Sequence, residues 1–278
     1  IEGADKTGKS TLALSAVDEG PVLYLEQDIG GFDRAAIRFT EQIKQGLIMS
    51  RKYPVAIQRS SLGLEKSLLV QGYKEQWASI IGDYLDAIDN KLVSPSGQPF
   101  KTVIMDGGRL WSGCHHGYLQ EIQEATPDKS KAKLIEIMYT EPNSRMYSLL
   151  DVAKQSDKHL ILSHHLDDEY IEGSPDVNGR PVKVKSGKLV AKGWKHLSNL
   201  SDMTIRTELE IFRVGGKILY TLPMATVTMC GLTLDLLGYT FSYKQEIKPH
   251  VYEYSEAMAP TWTNIMKMAE LMRGAPLP

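Results

Sequence analysis

Gly3-Ala4-Asp5-Lys6-Thr7-Gly8-Lys9-Ser10, followed by Thr11 and the apolar run Leu12-Ala13-Leu14, decides how the rest of the chain is read. The spacing G-x-x-x-x-G-K-S is that of a phosphate-binding loop opening a helix. Gly3 and Gly8 let the backbone turn so that successive N–H groups face one anion, and the helix N-terminus beyond adds partial positive charge. Lys9 is placed to reach the β- and γ-phosphates, and the Ser10 hydroxyl to ligate Mg²⁺. Asp5, Lys6, Thr7 and Thr11 complete the candidate cradle. Only Ile1 and Glu2 precede the loop. A buried parallel strand wants about five residues, so the natural chain is expected to begin further upstream.

Working outward, Val22-Leu23-Tyr24-Leu25 has the short apolar character of a strand buried on both faces, and it ends in Glu26-Gln27-Asp28. In open α/β sheets, ligands bind at the carboxyl ends of the strands. A carboxylate there can orient and activate the water that attacks a γ-phosphate. Alternation puts Glu26 and Asp28 on one face of the strand and does not choose between them. A strand is expected over residues 53–58 and a helix over 67–90, whose Tyr73, Trp77, Ile80, Ile81 and Tyr84 recur at helical spacing as core. Thr102-Val103-Ile104-Met105-Asp106 is a third buried strand running into an acid. That Walker-B pattern holds Mg²⁺ directly or through water.

Residues 107–143 are expected to be loop-rich and then helical. They carry Arg109, Trp111, the loop histidines His115 and His116, and the basic run Lys129, Lys131, Lys133. A helix over 144–156 leads to a fourth strand, 158–165, whose polar end of Ser163, His164 and His165 is positioned to sense the γ-phosphate. Residues 167–195 suggest an inserted hairpin turning at Asn178-Gly179. From Arg180 to Lys195 the window contains Arg180, Lys183, Lys185, Lys188, Lys192 and Lys195 and no acid, a positive stripe suited to phosphates. Strands are expected at 204–214, 217–221 and 225–229, with a turn at Gly215-Gly216 and a C-terminal helix over 261–272.

Composition bounds the rest. The chain has 278 residues, 42% of them apolar, and a formal charge of −2. It can bury a real core, and disordered, collagenous and supercharged classes are excluded. Cys114 and Cys230 stand alone, which argues against a disulfide scaffold or zinc site and for a reducing, cytoplasmic setting. No apolar run approaches a membrane span, and the chain is expected to carry no signal peptide. With no repeat and no low-complexity linker, residues 1–278 are expected to form a single α/β domain with a β-rich C-terminal part.

Two resemblances refine these expectations. The opening residues 1–11 resemble the loop of thymidylate kinases, but clustered lid arginines and an arginine-bearing substrate motif are not evident. Over most of its length the chain resembles the RecA-like P-loop ATPases of tailed phages, in particular the Sak group of single-strand annealing and recombination proteins. The matching residues are the loop 3–11, Leu23–Asp28, Lys101–Asp106, strand 160–165 with Asp168-Glu169-Tyr170, Lys192-Gly193-Trp194-Lys195 with Asp202, Ala225–Gly231 and Gly238–Phe241. Gly107 stands where that group commonly has Ser or Thr, and no arginine accompanies His164 or His165.

That resemblance implies a mostly parallel sheet with helices on both faces, and ATP and Mg²⁺ held at the strand ends by Lys9, Ser10 and Asp106. Glu26 or Asp28 would be the catalytic acid, assisted by His164. It also implies a homo-oligomeric ring or filament in which Lys192, Lys195 or Arg206 of a neighbour touches the γ-phosphate. Single-stranded DNA would contact Arg109, Arg180, Lys183, Lys185 and Lys188, in the cytoplasm of an infected host. The alternatives are a nucleoside monophosphate kinase and a nucleotide-binding phage assembly protein with little turnover.

Overall fold

Strict two-residue alternation along the buried strands decides which helices each can receive. The structure is a computed structural model that describes residues 1–27, 30–53, 57–58, 70–127, 134–174, 182–214, 217–248 and 251–273. In β2 (Val22–Glu26) and β6 (Thr102–Asp106), Leu23, Leu25, Val103 and Met105 point to one face. There they pack on α4 (Tyr73–Ile88), α5 (Gly107–Ala125) and α6 (Thr140–Gln155) through Ile80, Tyr84, Leu110, Cys114 and Met146. Val22, Tyr24 and Ile104 point to the other face and meet Ala13 and Leu14 of α1 (Lys9–Leu14) and Ala35 of α2 (Gly31–Ala36). Each such fully buried aliphatic side chain contributes about 1.5–3 kcal/mol, so the two layers fix the sheet between them.

The remaining strands of the main sheet are β1 (Glu2–Gly3), β3 (Ile48–Lys52), β7 (His159–Glu172), β8 (Lys183–Ala191), β9 (Met203–Val214), β10 (Lys217–Cys230) and β11 (Thr240–Ser242). Among the described residues their order is β11-β10-β9-β1-β7-β6-β2-β3, with β8 paired to β7. The pairs from β3 through to β9 are parallel, and β10, β11 and β8 join antiparallel. This is a mixed α/β fold with a mostly parallel central sheet and flanking helices, among them the short α3 (Thr40–Lys44) and α7 (Leu197–Leu200). A third apolar cluster joins Ile205, Ala225 and Val227 to Ile265 and Ala269 of the C-terminal helix α8 (Trp262–Met272). That helix is capped by the Thr261 hydroxyl, which accepts from Asn264 N.

Several expectations change. The 107–143 region is not loop-rich at its start: α5 begins immediately after Asp106, whose carboxylate accepts the Arg109 N–H at 2.9 Å and caps it. His115 and His116 are therefore helical. The helix expected over 67–90 starts only at Tyr73, preceded by β5 (Val70–Gln71), which pairs with β4 (Ile57–Gln58). Of the strand expected over 53–58, only residues 57–58 are strand among those described. The two strands expected at 217–221 and 225–229 are one continuous β10. Asn178-Gly179, Gly215-Gly216 and Lys129, Lys131 and Lys133 lie outside the described residues. No described helix is long and apolar enough to cross a membrane.

Candidate nucleotide-binding site

Parallel pairing brings residues of six strands into one row, at the carboxyl ends of β1, β2, β3 and β6. Register puts Glu26 beside Lys52, Leu25 beside Met105, Asp106 beside Ser163, Glu2 between His164 and Arg206, and Gly3 between His165 and Thr207. The loop and Asp106 therefore lie two strands apart, roughly 10 Å at ordinary strand spacing. The end of β7 fills the space between them.

The loop adopts a conformation that needs its glycines. Gly8 has φ 95° and Lys6 has φ 61°, both left-handed, so neighbouring amides turn toward a common point. At Gly3 a Cβ would stand 2.4 Å from the Thr207 hydroxyl and 2.6 Å from its carbonyl oxygen. Thr7 shares a 2.7 Å hydrogen bond with the Thr207 hydroxyl and donates to Ala4 O at 2.9 Å, anchoring the loop on β9. At the other side His165 Nδ1 lies 2.6 Å from Asp5 Oδ1. Asp5 and Thr7 thus hold the loop through their side chains, and what Thr7 can offer a ligand is its backbone.

Lys9 is buried, and its ammonium donates to Gly3 O at 2.9 Å and Ala4 O at 2.6 Å. Two of its three donors are thereby used. Burial lowers its pKa, while the charges of Asp5 and Asp106 raise it. Ser10, on the first turn of α1, has its Oγ 3.5 Å from the Tyr24 hydroxyl. Alternation places Tyr24, Glu26, Ile104 and Asp106 on the α1 side of the sheet, the side on which phosphates would lie.

Glu26 is 4% exposed. One carboxylate oxygen accepts a long 3.4 Å bond from Phe32 N, and the other has only the Lys52 ammonium, 3.5 Å away, and no hydrogen bond. A buried carboxylate oxygen so weakly served is poised for a further donor. The other candidate acid, Asp28, lies outside the described residues. The neighbouring Gln27 points to the opposite face toward Gly113, with both side-chain polar atoms buried and without a hydrogen bond.

His164, expected from the sequence to sense the γ-phosphate, alternates with Ile161 and so points to the face of β7 opposite α1, the face of Leu160 and Leu162. It is buried, and its Nδ1 lies 2.9 Å from Lys192 O. A carbonyl only accepts, so Nδ1 carries the proton and Nε2 is left bare; it has no partner. Burial lowers the imidazole pKa to about 4. The ring lies directly over Gly107, where a Cβ would come within 2.0 Å of Nε2. The glycine after Asp106 and the histidine on β7 are therefore one arrangement: the ring occupies the volume a larger residue at 107 would need.

The imidazole gives a testable pH dependence. His164 is neutral in the fold with a pKa near 4, below the ordinary 6.5, so the unfolded chain binds more protons between these values. Its contribution is complete above pH 6.5 and is lost as pH falls toward 4, by about 3 kcal/mol. Urea titrations of the wild type and His164→Asn at pH 7 and pH 4.5 should show the smaller loss in the variant; equal losses would refute this linkage.

The other sequence-derived candidates fall into three groups. Arg206 is tied within the chain, donating to Glu2 Oε1 through Nη2 at 2.6 Å and Nε at 2.9 Å. Lys192 and Lys195 are exposed on the turn after β8, with Lys192 Nζ 3.8 Å from Asp167. The basic window is not a bare stripe, because β7 lays acids against it. Lys183 is opposite Glu172, and Lys185 meets Asp168 at 2.5 Å. Lys188 and Arg109 are exposed, and Arg180 lies outside the described residues. Sequence reasoning missed the Glu2–Arg206 pair, Tyr24, Thr207 and the Asp5–His165 contact. An acid inside the buried strand β1 was the one available signal. Among the described residues no cluster of His, Cys, Asp and Glu could hold a metal by itself. The chain matches no protein-family model and no curated protein.

Proposed function

We propose that the chain is a RecA-like P-loop ATPase that works on single-stranded DNA as a homo-oligomer. The observation that carries the nucleotide part is the strand-end row itself. A left-handed loop with a buried lysine, the Ser10 hydroxyl, Asp106 and the under-served Glu26 carboxylate all face one side of the sheet. Hard oxygen donors from Ser10 and Asp106 fit Mg²⁺, which would neutralise charge on the β- and γ-phosphates when bound. Lys9 would release a loop carbonyl and take a phosphate oxygen. Glu26 is the water-activating group this geometry favours, because its buried, weakly served carboxylate lies on the α1 side.

Lys192 and Lys195 remain the cations that a neighbouring subunit could lend to the γ-phosphate, since Arg206 is already paired with Glu2. The DNA part rests on the resemblance and on exposed Arg109 and Lys195.

The decisive experiment is phosphate release from ATP with and without single-stranded DNA, beside Glu26→Gln. We expect DNA to stimulate turnover. The variant should keep nucleotide affinity while losing about two to four orders of magnitude in turnover. Phosphate transfer to dTMP would replace this reading with a kinase, and tight binding without turnover would replace it with an assembly role.

A further inference from the structure

A row of aromatic rings runs over the surface beside α5. Tyr73 and His116 have centroids 4.8 Å apart, His116 and His115 4.1 Å, and His115 and Trp111 5.4 Å. Tyr139 joins at 6.4 Å from Trp111, and Trp194 stacks behind it at 6.2 Å with an interplanar angle of 27°. Trp194 is the buried foundation. It is held by a 2.7 Å hydrogen bond from its Nε1 to Asn143 Oδ1. The outer rings are half-buried, and Tyr139 is 37% exposed.

Aromatic side chains usually lie in the core, where burial of 150–250 Å² each is what makes them useful. Here the rings form a half-buried ledge, tilted by 33–47° from one to the next, whose inner member Trp111 packs against the core. Its two histidines are neutral at pH 7, since burial lowers both pKa values, that of His116 to about 4. They therefore offer partly exposed π-surface rather than charge. Cations stand toward both ends: exposed Arg109, two turns before His116 on α5, acts electrostatically on Tyr73, and exposed Lys195 follows Trp194 in the chain.

The basic hairpin is a poorer nucleic-acid surface than its own sequence suggests, because acids of β7 offset part of its charge. Neutral rings flanked by a few cations match a strand whose bases are unpaired and free to stack. The ledge also grows from α5, the helix capped by Asp106, so one rigid element joins it to the nucleotide side.

From this we infer that the row Tyr73–His116–His115–Trp111–Tyr139 is a base-stacking surface for single-stranded DNA, an inference that rests on the DNA-acting reading above. The bases lie on the rings, Arg109 and Lys195 meet the phosphates at either end, and the hairpin lysines contribute little.

The test is fluorescence anisotropy with a labelled oligo-dT and an abasic oligonucleotide of equal length, backed by quenching of tryptophan emission. We expect the abasic strand to bind at least roughly ten-fold more weakly than oligo-dT, because stacking supplies most of the affinity. Trp111→Ala and Tyr139→Ala should each weaken oligo-dT binding by roughly ten-fold. Trp111→Phe should restore it, and exposed Tyr139 guards against a variant that merely misfolds. The triple change Lys183, Lys185 and Lys188→Ala should cost less than either ring.

Equal binding of the two oligonucleotides, or unchanged affinity in both ring variants, overturns the ledge while leaving a DNA-acting ATPase intact. Failure of the wild type to bind either strand, with ATP hydrolysis indifferent to both, overturns the DNA-acting reading as well. Capture of an apolar peptide by the ledge in competition with oligo-dT would assign the surface to a protein partner and overturn the proposal.

Discussion

Lys9→Ala is expected to reduce ATP turnover by about 10²–10³-fold, the loss typical of deleting one preorganised charge-stabilising donor from a water-poor site. The argument is geometric. The ammonium sits at the mouth of the loop on Gly3 and Ala4 carbonyls, and its charge is already disfavoured by burial. An ammonium held that way gains most when a phosphate oxygen arrives, since the new partner is anionic and the present ones are not. Removing it should therefore weaken nucleotide binding and slow phosphate release together, as followed by titration with a fluorescent ATP analogue and by a phosphate assay. The fold should survive. The variant loses two hydrogen bonds but also sheds the cost of a desolvated cation, and these terms offset each other. A nucleotide-free melting temperature within a few degrees of the wild type, with binding lost, is the expected pair of results. Retention of wild-type turnover would remove the loop from the chemistry.

How much of this was legible follows from how local each signal is. The glycine loop opening α1, Val22–Glu26 and Thr102–Asp106 are contiguous strings whose local patterns declare them, and each forms the turn or strand its string implies. The Asp5–His165 contact joins residues far apart in sequence, and the insertion of β7 between β1 and β6 is equally non-local. Neither leaves a trace in any one window. The start of α5 was misread for a different reason. Gly107-Gly108 and the paired histidines resemble loop composition, but one hydrogen bond from Arg109 N to Asp106 and burial of Leu110 and Cys114 outweigh weak propensity. The positive stripe failed as a charge count because a strand's electrostatics include its neighbour. Asp168 and Glu172 sit across from the lysines, in a stretch that a window beginning at Arg180 does not contain.

The contact between Gly107 and His164 carries the largest expected stability effect. Gly107→Ala drives a methyl group to within 2.0 Å of His164 Nε2, and the ring has nowhere to retreat while its other nitrogen is held by Lys192 O. Behind that carbonyl Gly193, at φ 131°, is packed so tightly that a Cβ there would lie 3.2 Å from Gly108 Cα. The expected cost is about 3 kcal/mol, the upper range for overpacking a filled site. His164→Ala alone should cost about 2 kcal/mol for the lost ring and the cavity left. The double variant should be no worse than Gly107→Ala by itself, because deleting the ring makes room for the methyl. Two independent sites would add. Urea unfolding of the four proteins measures the cycle, and additivity within about 0.5 kcal/mol would refute the contact. The same clash should reach activity, because Gly107 is the first residue of the helix that Asp106 caps. Moving it displaces the carboxylate assigned to Mg²⁺, so ATP turnover in Gly107→Ala should fall further than its stability loss explains, and adding His164→Ala should restore part of it.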